Sequence, residues 1–296
     1  MMESLLARLL LGAVWLLHWL PLPLLAALGR NVGRLLHRFG RSRRQVALRN
    51  VELCLPELAV AQREALVREH FQWLGRSLLE RGLLWYASPA RLRRLIHVEG
   101  EVKLAELSER PVMWLVPHFL GLDIAGAATQ LFQQRLACSI YAAQSNAVLD
   151  AAMRRGRLRF GLAEIFSRHE GALPLMRAIK RGRAFFNLPD MDFGARDAAF
   201  VPFFGVPAAT LLAPSRMARS LKMTVQPVVS EMLPGGQGYR VRFLPPWIDW
   251  PTADAEADAR RMNAWIEGEI RRNPAQYLWV HKRFKTRPPD APSLYV

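Results

Sequence analysis

Cysteine is nearly missing from this 296-residue chain: Cys54 and Cys138 are the two present, far apart and without Cys-x-x-Cys spacing. That excludes a disulfide framework and a thiolate zinc site, and it suits a reducing, cytosol-facing setting. Acidic residues are scarce too, 25 against 41 lysines and arginines, which leaves a formal net charge of +16. Such a charge asks for an anionic partner, whether membrane lipid, nucleic acid or an acidic protein. Nucleic acid is disfavoured, because RNP-like aromatics, zinc-finger spacing and a helix-turn-helix pattern are all lacking. No Gly-x-Ser-x-Gly elbow offers a serine nucleophile. Internal repeats and low-complexity tracts are also absent. With 51% hydrophobic and 22% charged residues, the composition is that of a globular protein with chain enough for a sizeable core.

What the chain does have begins at its start. From Leu5 to Leu28 it is almost wholly apolar, broken by Arg8, His18, Pro21 and Pro23. As one helix this stretch reaches about 30 Å, the thickness of a bilayer's hydrocarbon core, so residues 1–28 read as a membrane-anchor helix. A cleaved signal peptide is disfavoured, because no basic cluster precedes the run and no small-x-small site follows it. Residues 29–98 form a basic, amphipathic helical region. Arg30, Arg34, Arg38, Arg41, Arg43, Arg44 and Arg49 fall between Gly29 and Asn50 without one acid, at spacings that predict a basic helix face against anionic lipid. Positive charge after the anchor predicts that the remainder lies on the cytoplasmic side of the membrane.

Beyond residue 98, helix and strand signals alternate, which argues for an α/β sheet with crossover helices. Strands are expected at Val112–Val116, Leu136–Tyr141, Ala184–Leu188, Thr224–Val229 and Tyr239–Leu244. Helices are expected at Val60–Trp85 and Asp123–Gln133, and from a Thr252 cap to about Arg272. The most informative motif sits where the first of those strands ends. His118 is followed five residues later by Asp123, and no other histidine of the seven has a carboxylate at that offset. The carboxyl end of a strand is where open α/β sheets place ligands. A carboxylate there can hold an imidazole in one tautomer, making a general base for an alcohol proton.

Further blocks follow in order: Tyr141 to Asp150 with Asn146 four residues before Asp150; Arg155-Gly156-Arg157-Leu158-Arg159 and then Arg168; Pro189-Asp190-Met191-Asp192-Phe193-Gly194 leading into Phe200 to Thr210; the strand around Val225-Gln226-Pro227-Val228; and Gln276 to Pro288. In this order they resemble the lipid A late acyltransferases of Gram-negative bacteria, within the wider lysophospholipid and glycerol-phosphate acyltransferase group. The resemblance runs from about residue 100 to 290. Departures exist: Asp123 stands where many lipid A enzymes carry glutamate, Pro117 replaces the asparagine of phospholipid acyltransferases, and Ala142-Ala143 replaces an Arg-Pro pair.

The resemblance implies a mixed, largely parallel central sheet flanked by helices, with an acyltransferase domain at 99–296. It implies transfer of a fatty acyl group from acyl carrier protein to a hydroxyl of a phosphorylated glycolipid, needing no cofactor and no metal. His118 is then the general base and Asp123 its orienting partner. Arg168 matches a position suited to a phosphate or an oxyanion, through the paired hydrogen bonds of a guanidinium. Asn146 and Asp150 are candidates to shape the acceptor site or to serve as structural hydrogen-bonders. Asp190 and Asp192 are candidates to order the loop beside the catalytic edge or to stabilise a turn. An apolar pocket would set acyl length, with Phe185, Phe186, Phe203, Phe204 or Trp114 contributing. A glycerophospholipid or other glycolipid acceptor, and a non-catalytic membrane protein of the same fold, are the alternatives.

Overall fold

A computed structural model describes residues 2–295. The apolar start is not one helix. It divides into α1 (Met2–Leu17) and α2 (Leu22–Phe39), with a turn at His18 to Leu20 and Pro21 at the start of α2. Proline cannot supply the interior hydrogen bond of a continuous helix, but it suits a helix's first turn. The expected single anchor over 5–28 is corrected accordingly: among the described residues no helix is long and apolar enough to cross a membrane. Leu22, Leu25 and Ala26 are buried inside the protein, whereas Leu5, Leu6, Leu9, Leu10, Trp15 and Leu16 of α1 face outward.

The arginine-rich stretch is divided as well, at Gly40, between α2 and α3 (Arg41–Cys54). Several of its charges bind within the protein instead of forming one free stripe. The Arg44 guanidinium donates to the carbonyls of His37 and Arg38 at the end of α2, and Arg43 and Arg49 donate to the carbonyls of Val280 and Leu294. The long α4 (Val60–Tyr86) follows. It crosses α2 at glycines: a Cβ on Gly33 would lie 2.1 Å from the Phe71 carbonyl oxygen, and one on Gly75 would lie 2.2 Å from that of Gly29. Only backbone fits in that crossing.

After α5 (Pro89–Leu95) the chain enters a seven-stranded sheet. Its strands are β1 (Ile96–Gly100), β2 (Val112–Leu115), β3 (Ala137–Tyr141), β4 (Ala163–Ser167), β5 (Ala184–Asn187), β8 (Thr224–Met232) and β9 (Tyr239–Phe243). They lie in the order β1-β9-β8-β2-β5-β3-β4, and every neighbouring pair is parallel except β8 with β9. The mixed, largely parallel sheet is therefore as expected. Crossovers are made by α6 (Leu104–Leu107), α7 (Leu122–Leu131), α8 (Ala147–Leu158), α9 (Leu173–Lys180) and α10 (Ala213–Ser220). A separate antiparallel hairpin, β6 (Ala198–Phe203) and β7 (Val206–Leu211), turns at Phe204-Gly205, both with positive φ. Two positive φ values match the twist of a two-residue hairpin loop.

Alternation along β2 and β5 separates two cores. Met113, Leu115 and Phe185 face a core with Phe203, Trp279 and Phe284, while Val112, Trp114 and Phe186 face one with Ile124, Leu83 and Leu25. The last helix, α11 (Ala255–Arg272), is capped by Asp254, whose carboxylate accepts from the amides of Glu256 and Ala257. Thr252, the expected cap, instead accepts from the Asp254 amide one step earlier.

Candidate active site

The site forms at the carboxyl edge of β2 and β5, which pair directly with Trp114 opposite Phe186 and Leu115 opposite Asn187. Both strands end in short segments opened by proline, Pro117-His118 and Pro189-Asp190. The two side chains meet there. Asp190 Oδ1 lies 2.6 Å from His118 Nδ1, and Asp190 Oδ2 accepts from the His118 amide at 2.9 Å. One carboxylate thus fixes both the ring and its backbone. Burial pushes the Asp190 carboxyl up, but the charge and hydrogen bonds of His118, with Arg283 nearby, outweigh it and hold the group below its ordinary range. An ionised carboxylate at Nδ1 keeps the proton on that nitrogen and leaves Nε2 as the acceptor.

The expected partner of His118, Asp123, is engaged elsewhere. From the first turn of α7 its carboxylate pairs with Arg157 of α8 at 2.9 Å and Arg81 of α4 at 3.2 Å. Burial raises the Asp123 carboxyl, and the two guanidinium groups more than offset this and hold it low. The structure therefore corrects the pairing: Asp190 contacts the imidazole, and Asp123 clamps three helices together.

The far end of the chain closes the site. The His118 carbonyl accepts from the Leu278 amide at 3.0 Å, the Leu120 amide donates to the Gln276 carbonyl at 2.8 Å, and Phe119 bridges Tyr277. Asn50 of α3 anchors this segment by donating 2.7 Å hydrogen bonds to the carbonyls of Trp279 and His281. His281 is pushed down to about 4, by burial first and then by neighbouring His118, so it is neutral; its Nε2 accepts from the Asp192 amide at 3.1 Å. Buried Arg283 donates to the Ala209 carbonyl and to Thr210 Oγ1, behind Asp190.

The remaining expected residues are mostly structural in what they touch. Asp192 accepts from the amides of Gly194 and Thr286 and from the Thr286 hydroxyl, so it orders the loop after β5. Asn146 caps α8 through the amides of Val148 and Leu149. Asp150 accepts from the Gln144 amide at 2.8 Å and from the Tyr141 hydroxyl at 3.3 Å, tying down the loop before α8. Arg168 is exposed at the end of β4, its guanidinium 5.8 Å from the centre of the Phe193 ring. It thereby overhangs the loop that carries Asp190.

Beside this edge lies an apolar pocket, on the β2–β5 face opposite Phe185. Its walls are β3, β4 and β5 on one side and α4, α7 and α8 on the other, with Leu122, Gly126, Phe160, Ile165, Phe186 and Leu188 among the lining. Of the aromatic residues expected to line a pocket, Phe186 does so; Trp114 and Phe185 are core, Phe203 lines a smaller cavity beside His118, and Phe204 lines neither. Arg81 and Arg157 could not be singled out from spacing, since only the fold brings them to Asp123.

A family model described as Bacterial lipid A biosynthesis acyltransferase matches residues 1–286. The chain is 35% identical over 289 residues to the lipid A biosynthesis palmitoleoyltransferase of Escherichia coli K12, covering 97% of this chain and 93% of that one. It is 34% identical over 288 residues to the lipid A biosynthesis lauroyltransferase of the same strain, covering 96% and 93%. It is 33% identical over 271 residues to the myristoyltransferase, covering 90% and 81%.

Proposed function

Because the chain belongs to the bacterial lipid A biosynthesis acyltransferases, we propose that it moves a fatty acyl chain from acyl carrier protein to a hydroxyl of a phosphorylated lipid A precursor, with His118 as general base. The observation that carries the mechanism is the His118–Asp190 pair at the carboxyl edge of the parallel strands. Nε2 of His118 takes the proton of the acceptor hydroxyl as its oxygen attacks the thioester carbonyl, and the new C–O bond gives a tetrahedral oxyanion. That intermediate collapses with cleavage of the C–S bond, and the departing thiolate takes the proton back from the imidazolium. Asp190 stabilises the imidazolium throughout and does not itself exchange a proton.

In this reading the pocket behind β3–β5 receives the acyl chain: it is apolar, and its lining reaches Asp123 and Leu188 at the same strand edge. Arg168, overhanging the loop of Asp190, meets a phosphate of the acceptor or the oxyanion. The acidic carrier protein and the anionic acceptor both suit the +16 charge. Residence at the cytoplasmic face of the inner membrane is supported by the outward leucines and Trp15 of α1 and by the exposed Arg34, Arg38 and Arg41 of α2 and α3.

Purified protein assayed for acyl transfer onto a lipid A precursor tests the reading. His118→Ala should lower turnover by roughly two to four orders of magnitude in a protein that still folds, as a cooperative melt confirms. Normal transfer by a folded His118→Ala protein refutes the mechanism. Transfer to glycerophospholipid but not to the lipid A precursor refutes the acceptor.

A further inference from the structure

We propose that Gly126 sets the chain length this enzyme accepts, by leaving the acyl pocket open at mid-depth; the proposal rests on the acyl-pocket reading above. The pocket's depth follows from the sheet. Tyr141 and Leu188 mark its upper end at the catalytic edge, and Ala137, Ala163 and Phe160 mark the opposite end of the same strands. From Ala137 to Tyr141 an extended strand spans about 13 Å. Helix α7 runs back down this slot from the edge, so Leu122 and Asp123 stand at the mouth and Gln130 near the floor. Gly126 lies about 6 Å below Leu122 along the helix axis.

Glycine at that position is otherwise unexplained. In the middle of a helix it is a poor choice beside alanine. Elsewhere in this fold helical glycines answer to close packing: a Cβ on Gly29, Gly33, Gly75, Gly82 or Gly156 would lie 2.6 Å or less from a neighbouring atom. A Cβ on Gly126 would meet nothing within 4 Å. The same open space surrounds Gly12 and Gly268, but those face solvent, whereas Gly126 faces the pocket. Any side chain there would project into the space beneath the mouth.

The test is the donor profile of Gly126→Ala, Gly126→Val and Gly126→Leu, measured as kcat/KM with saturated acyl carrier protein thioesters of successive even chain lengths. The expected result is a stepwise move of the optimum to shorter donors as the side chain grows. The longest donors should lose about tenfold for every two methylenes shut out, while the shortest stay within about threefold of the parent. An unchanged profile in Gly126→Leu overturns the assignment, and so does a folded protein that is slow on every donor. If Gly126→Leu does not fold, Gly126→Ala decides: loss confined to the longest donor supports the proposal, and uniform loss overturns it. Ala163→Leu, at the floor, separates the two readings. A shortened profile there with no effect at Gly126 leaves the pocket standing and removes Gly126; no effect at either position removes the pocket.

Discussion

Replacing Asp190 by asparagine keeps the side chain's shape but removes its charge and one acceptor oxygen, and the structure says what must follow. The native carboxylate makes two contacts with His118, one to the ring nitrogen Nδ1 at 2.6 Å and one to the backbone amide at 2.9 Å. An amide has one oxygen. If that oxygen keeps the backbone N–H, the NH2 group faces the ring, and Nδ1 must become an acceptor. The ring proton then moves to Nε2, the nitrogen that takes the substrate proton in the proposed mechanism. The substitution also deletes the counter-charge of the imidazolium. A charge-assisted hydrogen bond contributes about 1.5–3 kcal/mol, and with the tautomer change the total loss in the transition state is about 3–5 kcal/mol. That is roughly a hundredfold to several thousandfold in kcat. The assay is initial-rate transfer from acyl carrier protein thioester, with thermal melting to confirm the fold. Because the pair acts as a unit, adding Asp190→Asn to His118→Ala should cost little more than His118→Ala alone. Asp123→Asn should be milder, within about tenfold, since its carboxylate holds Arg81 and Arg157. A near-normal Asp190→Asn beside an inactive Asp123→Asn would refute this division of roles.

Four further outcomes are expected. Gly33→Ala should destabilise the fold by about 3 kcal/mol and lower its melting temperature by roughly 5–10 °C, because the new Cβ would lie 2.1 Å from the Phe71 carbonyl oxygen; an unchanged melt would mean that the α2–α4 crossing is looser than drawn. His70 is wholly buried and pushed down to about 4 by its burial, so the unfolded chain binds a proton below about pH 6.5 that the folded chain refuses until about 4. Stability should therefore fall as pH drops through that window, by roughly 3 kcal/mol at most from this group, and urea midpoints of His70→Asn should flatten the slope. Arg168→Ala should weaken use of the phosphorylated acceptor more than Arg168→Lys; equal damage with a dephosphorylated acceptor would discard phosphate recognition at this residue. Glutamates in place of Leu6, Leu9 and Trp15, all outward on α1, should reduce sedimentation with anionic lipid vesicles, and undiminished binding would remove α1 as the membrane contact.

The sequence carried the strands well because their signal is local. Val112–Val116 and Ala184–Leu188 differ from β2 and β5 by one residue at the end. The β6–β7 hairpin went unread, and so did two strands of the main sheet, β1 and β4, which lie at its two edges and alternate weakly: β1 exposes His97 and Glu99, and no residue of β4 is fully buried. At the site, His118 and Asp190 were both legible as candidates, but their partnership was not. It depends on β5 lying directly beside β2, although β3 and β4 come between them in sequence. Spacing along the chain favoured Asp123, in the first turn of the next helix, and could not see the two arginines waiting there from α4 and α8. The apolar start misled by its hydropathy, although Pro21 and Pro23 already marked where the helix breaks.

The segment at Gln276 to Leu278 that fastens the backbone around His118 has a consequence for timing. The two pieces are separated by about 160 residues, so at ribosomal rates of some 5–20 residues per second the histidine is exposed on the order of ten seconds before its clasp is synthesised. During that interval the nascent chain holds a base without the backbone that positions it. On the mechanism proposed above, competence waits for Gln276 to Leu278 and comes long after α1 and α2 have been synthesised. On that mechanism a chain stalled before Gln276 would remain inert.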